Sequence, residues 1–246
     1  MLGFATKLTP LSALRYAHWR VARPESPINL ALRSGPRFEL RSGSGSADYG
    51  VAYEIFVLGY YDGRAGPAPE SIGLILDLGV NVGFSLLYFL HRYPRCAIIG
   101  FEPHPAHFAQ AERNLTLDGN RSRVQLHRAA AGASSRSMWL RDMGASSSLA
   151  DRDCAGAIAV EVVDIFPLLA GKRIDLIKMD IEGAEYEILG DQRFGDLDVA
   201  AMVMEWHAPR DGSDGRKWCV SRLHGLGYAI EEIWTQRKVG MLWARR

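Results

Sequence analysis

Residues 77 to 83 read Asp77-Leu78-Gly79-Val80-Asn81-Val82-Gly83, directly after the largely apolar run Ile72 to Leu76 and before the helix-like Phe84-Ser85-Leu86-Leu87-Tyr88-Phe89-Leu90. A buried strand that breaks into a glycine-punctuated turn and then a helix gathers bare backbone amides and a helix N-terminus at one spot. An α/β sheet holds a nucleotide-like cofactor in this way. A dinucleotide fingerprint would read G-x-G-x-x-G. Here Asn81 stands in place of the second glycine, and the next glycine follows two residues later rather than three. Asp77, two places before the first glycine, offers nothing to a pyrophosphate. It does favour a cofactor with a cationic amino-acid end.

The pattern D-x-G-x-x-x-G resembles the first motif of class I S-adenosylmethionine methyltransferases. In that family the acidic residue helps orient the methionine part of the cofactor, and the glycines let the cofactor lie close to the turn; the resemblance therefore puts Asp77, Gly79, Asn81 and Gly83 at the cofactor. About twenty residues on, the strand-like Ala97-Ile98-Ile99-Gly100-Phe101 ends in Glu102, where an acid can accept from both ribose hydroxyls. That role is shared by NAD and S-adenosylmethionine proteins, so Glu102 indicates a ribose and not a reaction. Pro103 or His104, which follow, is a candidate for adenine contact, with the start of a helix as the alternative reading of His104 and His107. A third block, Asp180-Ile181-Glu182-Gly183-Ala184-Glu185, follows the run Ile174 to Met179. Together with D-x-G-x-N-x-G and G-F-E-P upstream, this D-x-E-G-A-E block is similar to the FkbM-type methyltransferases, over roughly Asp48 to Trp243. The resemblance implies transfer of a methyl group from S-adenosyl-L-methionine to a hydroxyl of a carbohydrate or natural product. It also makes Tyr53, Glu54 and Tyr61 candidates to cover the cofactor, with plain packing as their alternative.

Apolar runs recur at 97–101, 124–126, 174–179 and 199–204, separated by helix-compatible stretches at 105–117, 165–169, 184–189 and 215–226. This alternation implies right-handed crossovers and a mainly parallel sheet. Two further strand-like pieces, 228–234 and 239–243, are joined by four residues, too few for anything but an antiparallel pair. The expected fold is Rossmann-like α/β with a seven-stranded sheet ending in an antiparallel hairpin. Residues 1–70 form an N-terminal addition and 71–246 the cofactor-binding domain. Residues 137–141 and 158–163 read as a hairpin inserted between the third and fourth main strands, around a long polar loop, Asp142 to Gly156.

In a parallel sheet all strand carboxyl ends share one rim, and ligands bind there. Gly79, Glu102, Asp180, Glu205 and His207 each lie at or just past such an end. A hydroxyl is a poor nucleophile until its proton is withdrawn, so a base or a metal is expected near the transferred methyl. Glu205 and His207 alternate onto one side of a strand, with Met204 and Trp206 on the other. His207 is the candidate base, with Asp180, Glu205 and Glu182 beside it. The competing arrangement holds Mg²⁺ on Asp180 and Glu205, and is the less favoured because imidazole is not a typical magnesium ligand. Glu182 and Glu185 are read as opening a helix, where the dipole favours acids without any function. Gly183 costs stability there unless a ligand or backbone comes close, so Glu182 is assigned to the site and Glu185 to structure. Lys178 reads as an ion-pair partner, and Trp206, Trp218, Trp234 and Trp243 as core or sheet surface.

At 246 residues the chain can bury ~70–75% of its unfolded surface without disulfides or metal. Its net charge of +1 lacks the footprint of a nucleic-acid binder. Cys96, Cys154 and Cys219 are odd in number and lack metal-ligand spacing, which suits a reducing compartment, and the cytoplasm is expected. Lys7, Arg15 and Arg20 interrupt the one N-terminal apolar candidate for a membrane span. The stretch Thr9 to Val21, with Leu11, Leu14 and Val21 among basic residues, reads as a helix docked on the domain, with a membrane surface as the alternative. Self-association is compatible with everything above. Two rival functions stand beside methyl transfer: an NAD(P)-dependent oxidoreductase, and a non-catalytic cofactor-binding protein of the same fold.

Overall fold

The computed structural model describes residues 2–22, 26–42, 47–62, 68, 70–141, 148–150, 156–209 and 211–246. Its central sheet has seven strands: β1 (Leu74–Leu78), β2 (Ala97–Phe101), β3 (Val124–His127), β4 (Leu176–Met179), β5 (Ala201–His207), β6 (Ala229–Thr235) and β7 (Val239–Arg245). Their order across the sheet is 3-2-1-4-5-7-6. Strands 1 to 5 run parallel, and β7 is antiparallel to both β5 and β6. The chain leaves β1 toward β2 on one side and returns to β4 on the other. The carboxyl ends of β1 and β4 therefore flank the crevice where the strand order reverses.

Alternation along each strand sends side chains to two separate cores. Ile75, Ile98, Leu176 and Val203 join the N-terminal elements with helices α4 (Phe84–Arg92) and α5 (Pro105–Asp118) on one face. Leu76, Ile99, Ile177 and Met202 meet α6 (Phe166–Leu169), α7 (Glu185–Gly190) and α8 (Gly215–Gly225) on the other. Near-continuous apolar strands are what a sheet covered on both faces requires. Helix α5 starts on Pro105 with His104 as its cap, whose Nδ1 accepts from the Ala106 amide at 3.2 Å, and stops at Gly119 with φ +84°.

Ahead of the sheet lie α1 (Leu2–Lys7), α2 (Pro10–Ala22), an antiparallel pair at Ile28–Ala31 and Arg37–Leu40, and α3 (Asp48–Tyr53), which runs on into a π-helical turn at Glu54–Leu58. They are fastened to the sheet's helices. Phe38 meets Phe84 edge-on at 5.1 Å, and Phe4 packs edge-on against both Tyr16 and Tyr49. The buried Asn114 on α5 accepts the Glu39 amide and donates to the Val82 carbonyl, both at 2.8 Å. One amide side chain thus ties the N-terminal pair to the turn after β1.

The inserted hairpin is present as Arg136–Arg141 paired antiparallel with Ala157–Asp164. Two short strands extend it: Ala130–Gly132, and Ser148–Ala150 within what the sequence reads as a loop. The rest of that loop, 142–147 and 151–155 with Cys154, lies outside the described residues. Cys96 and Cys219 are buried free thiols. Among the described residues no helix is long and apolar enough to cross a membrane.

Three sequence expectations change. The helix after β4 begins at Glu185, not Glu182, which lies in the preceding turn at φ +54°. Gly183 has φ +101° with nothing near its missing Cβ, so backbone conformation demands it rather than a close approach. Helix α2 docks through Ser12 and Tyr16, leaving Leu11, Leu14 and Val21 in solvent. Two apolar faces compete for the domain on this helix, and periodicity alone does not choose between them.

Candidate active site

The turn after β1 is shaped by contact with the end of β4. Gly79 has φ +86°, and a Cβ there would stand 1.8 Å from the Asp180 carbonyl oxygen. Gly83, at φ +90°, lets α4 approach Ala111 of α5, where a Cβ would meet backbone at 3.0 Å. Asn81 takes φ +54°, a region asparagine tolerates because its short side chain can bond locally. Its Oδ1 accepts the Val82 amide at 2.8 Å. Glu102 closes the same turn from β2: its carboxylate accepts the Asn81 amide and the His104 amide, each at 2.8 Å. Burial pushes the Glu102 carboxyl up to about 7 against those two amides.

A cavity over the ends of β1 and β2 is walled by Gly79, Asn81, Glu102, Pro103, His107 and Ala130. Its far side is Asp180 and Glu182. His104 turns inward instead, stacked on His107 at 4.4 Å. A second cavity continues from Gly79 and Asn81 toward Glu54, Tyr61, Lys178 and Glu205. Tyr53 stays outside it, packed beside Tyr49. Asp77 lines neither cavity. It is fully buried, accepts from Ser85 Oγ at 2.6 Å and lies 3.5 Å from Lys178 Nζ. Burial pushes the Lys178 ammonium down, but Tyr61, Asp77, Asp180 and Glu205 together hold it well above the ordinary amine range. Lys178 also donates to the Gly79 carbonyl, so this buried cation joins β1, β4 and the turn.

At the ends of β4 and β5 the chemistry differs. His207 Nδ1 lies 3.0 Å from Glu185 Oε1, and its Nε2 lies 3.3 Å from Glu182 Oε2 and 3.6 Å from Glu205 Oε1. Glu185 is fully buried, and the same Oε1 also accepts the Ile181 amide at 3.2 Å. A carboxylate only accepts, so Nδ1 carries a proton and Nε2 faces the rim. Burial by itself pushes His207 down, yet the Glu185 hydrogen bond and the charges of Asp180 and Glu182 take it up to about 9. Burial and the charge of Asp180 raise Glu205 to about 8, against His207 and Lys178. Asp180, Glu205 and His207 offer ligand atoms within 4.8 Å of one another.

A third, open cleft begins at Glu182 and His207 and runs past Tyr186 and Trp218 to Asp211, Ser213 and Lys238. Trp218, read from sequence as core or sheet surface, is 36% exposed there on helix α8 and meets Tyr186 edge-on at 4.9 Å. Trp206 and Trp243 are buried as expected. The structure therefore brings Asp180, Glu182, Glu205 and His207 together, with Gly79, Asn81, Glu102 and Pro103 on the adjoining wall. The sequence reading missed Glu185 as the partner of His207. Its one available signal was an acid three residues after Glu182, which the helix dipole already explained.

Strand order 3-2-1-4-5-7-6, with a glycine turn after β1 and an acid at the tip of β2, defines a class I S-adenosylmethionine-dependent methyltransferase fold. The sequence profile described as "Methyltransferase FkbM domain" matches residues 77–233, and the chain belongs to that family of methyltransferases. "Methyltransferase 1" of Beauveria bassiana (strain ARSEF 2860) is 32% identical over 162 residues, covering 55% of this chain and 64% of that protein. The chain thus spans less than two thirds of that relative. "Methyltransferase sdnD" of Sordaria araneosa is 27% identical over 234 residues, covering 78% and 88%. Among solved structures, a "SAM Dependent Methyltransferase" from Agrobacterium tumefaciens aligns with a TM-score of 0.49 at 11% identity, over 89% of this chain and 69% of that one. That likeness is too low to add to the strand order. The family match displaces the oxidoreductase reading.

Proposed function

We propose that the protein transfers the methyl group of S-adenosyl-L-methionine to a hydroxyl oxygen of a carbohydrate or natural-product acceptor, with His207 as general base. The observation that carries this reading is the His207 environment: Nδ1 is held by the buried Glu185, and Nε2 is presented between Glu182 and Glu205 at the mouth of the acceptor cleft. When bound, the cofactor would supply a methyl on a sulfonium, so that the acceptor oxygen bonds to the methyl carbon in line as the carbon–sulfur bond breaks and the electron pair leaves on the neutral thioether. A Glu102 carboxylate at the wall of a cavity that Gly79 and Asn81 also line suits such a cofactor.

In this reading Glu102 and Pro103 hold the ribose and adenine side, while Gly79, Asn81 and Asp180 flank the methionine side; Gly83, which lines neither cavity, serves the turn through its packing on Ala111. Asp77 acts at one remove, by fixing Lys178 and Ser85. Positioning supplies much of the rate in a displacement of this kind. His207 Nε2 takes the hydroxyl proton as the oxygen attacks. Its elevated pKa is a property of a site crowded with carboxylates, and a cationic sulfonium beside Asp180 and Glu205 opposes the imidazolium and lowers it. Glu185 is then a positioning residue, fixing the ring and its tautomer. The free buried thiols suit a reducing compartment, and we place the protein in the cytoplasm.

One observation favours a second reading: Asp180, Glu205 and His207 cluster closely enough to hold a cation. Mg²⁺ suits the two carboxylates but not the imidazole, and His207 is already engaged by two other acids. Methyl-labelled cofactor incubated with fractionated acceptors, with and without EDTA, tests both readings. Turnover that survives EDTA and is lost in His207→Ala supports the base. EDTA-sensitive turnover restored by Mg²⁺ supports the metal, and a product labelled on nitrogen or carbon overturns O-methylation.

A further inference from the structure

Helix α2 is amphipathic in an unusual sense, because its more apolar stripe faces away from the protein. Leu11, Leu14, His18 and Val21 fall at i, i+3, i+7 and i+10, which is a single helix face. Leu11 is 60% exposed, Leu14 72% and Val21 86%. The helix is not free to roll and hide them. Ser12 Oγ accepts the Ala31 amide at 2.9 Å, Trp19 Nε1 donates to the Ser26 carbonyl at 3.0 Å, and the buried Tyr16 stacks on Tyr49.

Charge follows the same segment. Residues 1–24 contain Lys7, Arg15, Arg20 and Arg23 and no aspartate or glutamate, in a chain whose net charge is only +1. The remainder of the protein is thus net negative. Lys7 and Arg15 are exposed, and Arg20 lies over the Tyr49 ring at 5.9 Å. A stripe of exposed leucine and valine flanked by cations matches an interface-lying helix. A second copy of the chain would set like charge against like across a two-fold axis.

We propose that the outer face of α2 docks the protein on an anionic lipid surface, with Leu11, Leu14 and Val21 entering the headgroup boundary and Lys7 and Arg15 meeting lipid phosphates. The docking face is tied to the site. Gly3 of α1 packs on Val57, in the turn that continues α3, and this same turn carries Glu54 into the second cavity. The proposal stands apart from the methyl-transfer reading, because lipid binding is measured without turnover.

The test is flotation of the full chain with phosphatidylcholine vesicles, with and without phosphatidylglycerol. Wild type is expected to float only with the anionic vesicles. Binding should weaken when ionic strength rises from about 0.1 M to about 1 M, which shortens the Debye length from about 10 Å to about 3 Å. The variants Leu14→Glu/Val21→Glu and Lys7→Glu/Arg15→Glu should each bind at least about tenfold more weakly. Unchanged circular dichroism and unchanged cofactor affinity by calorimetry would show that both remain folded. The proposal is overturned if wild type ignores anionic vesicles or if both variants float like wild type. It is also overturned if light scattering finds a dimer that Leu14→Glu/Val21→Glu separates, which assigns the face to a second copy.

Discussion

The two halves of the rim are built from different materials. Around Gly79, Asn81 and Glu102 the working parts are backbone: a left-handed turn, a glycine pressed against a carbonyl, and a carboxylate whose oxygens already accept two amides. Around His207 the working parts are side chains from α7, the turn before it and β5, held by ionic contacts of 3.0 to 3.6 Å. The first arrangement has its shape before any ligand arrives. The second has ionisable groups that shift one another, with neighbouring acids holding His207 toward its cation and burial and Asp180 pushing Glu205 toward its neutral acid, and so responds to charge. A cofactor common to many reactions suits a rigid seat, whereas acceptor chemistry requires groups that exchange protons.

The contrast breaks most sharply at Gly79. Gly79→Ala forces a Cβ into the Asp180 carbonyl in a left-handed backbone and should cost several kcal/mol. Thermal melting should show a large loss of stability, or soluble protein should not form. His207→Ala tests the other half. Methyl transfer should fall about 10²- to 10⁴-fold, while cofactor affinity by calorimetry changes less than about threefold, roughly 0.7 kcal/mol.

Glu185→Gln separates holding a ring from charging it. Removing a carboxylate that raises His207 lowers the pKa from about 9, so the rising limb of kcat/KM against pH should move to lower pH. The maximal rate should fall about tenfold as the ring loses its charged anchor. A packing role alone would lower stability and leave the limb in place. The smallest effect is expected at Glu102. Its carboxyl, up to about 7, is partly protonated at neutral pH, and the ionised form is the better acceptor for ribose hydroxyls. Cofactor affinity should therefore rise a fewfold as pH increases through 7, and Glu102→Gln should flatten that dependence.

Much of the cofactor half is legible in the chain because its determinants are adjacent in sequence. Gly79, Asn81 and Gly83 fall within five residues, and Glu102 ends the next apolar run. The alternation of strands and helices and the short link before β7 also announce the sheet. Glu185 escapes notice because its partner His207 is twenty-two residues away on another strand, and an acid in a first helical turn has an adequate local explanation. The exposure of Trp218 depends on how α8 seats against α7, and the outward stripe of α2 on which of two apolar faces wins Ser12 and Tyr16. These choices are made by tertiary packing, which leaves no short-range trace.

Asn114 has a consequence for any attempt to shorten the protein. A cut at residue 70 would look clean, since the recognisable motifs all lie beyond it. It would also strip the Glu39 amide from the Asn114 oxygen while the same side chain's nitrogen still grips the Val82 carbonyl. The truncated chain would keep every motif residue and yet have a slack hinge under its cofactor loop, and Phe84 would be bared where Phe38 had shielded it. The front of this chain is scaffolding for the loop as much as it is an appendage.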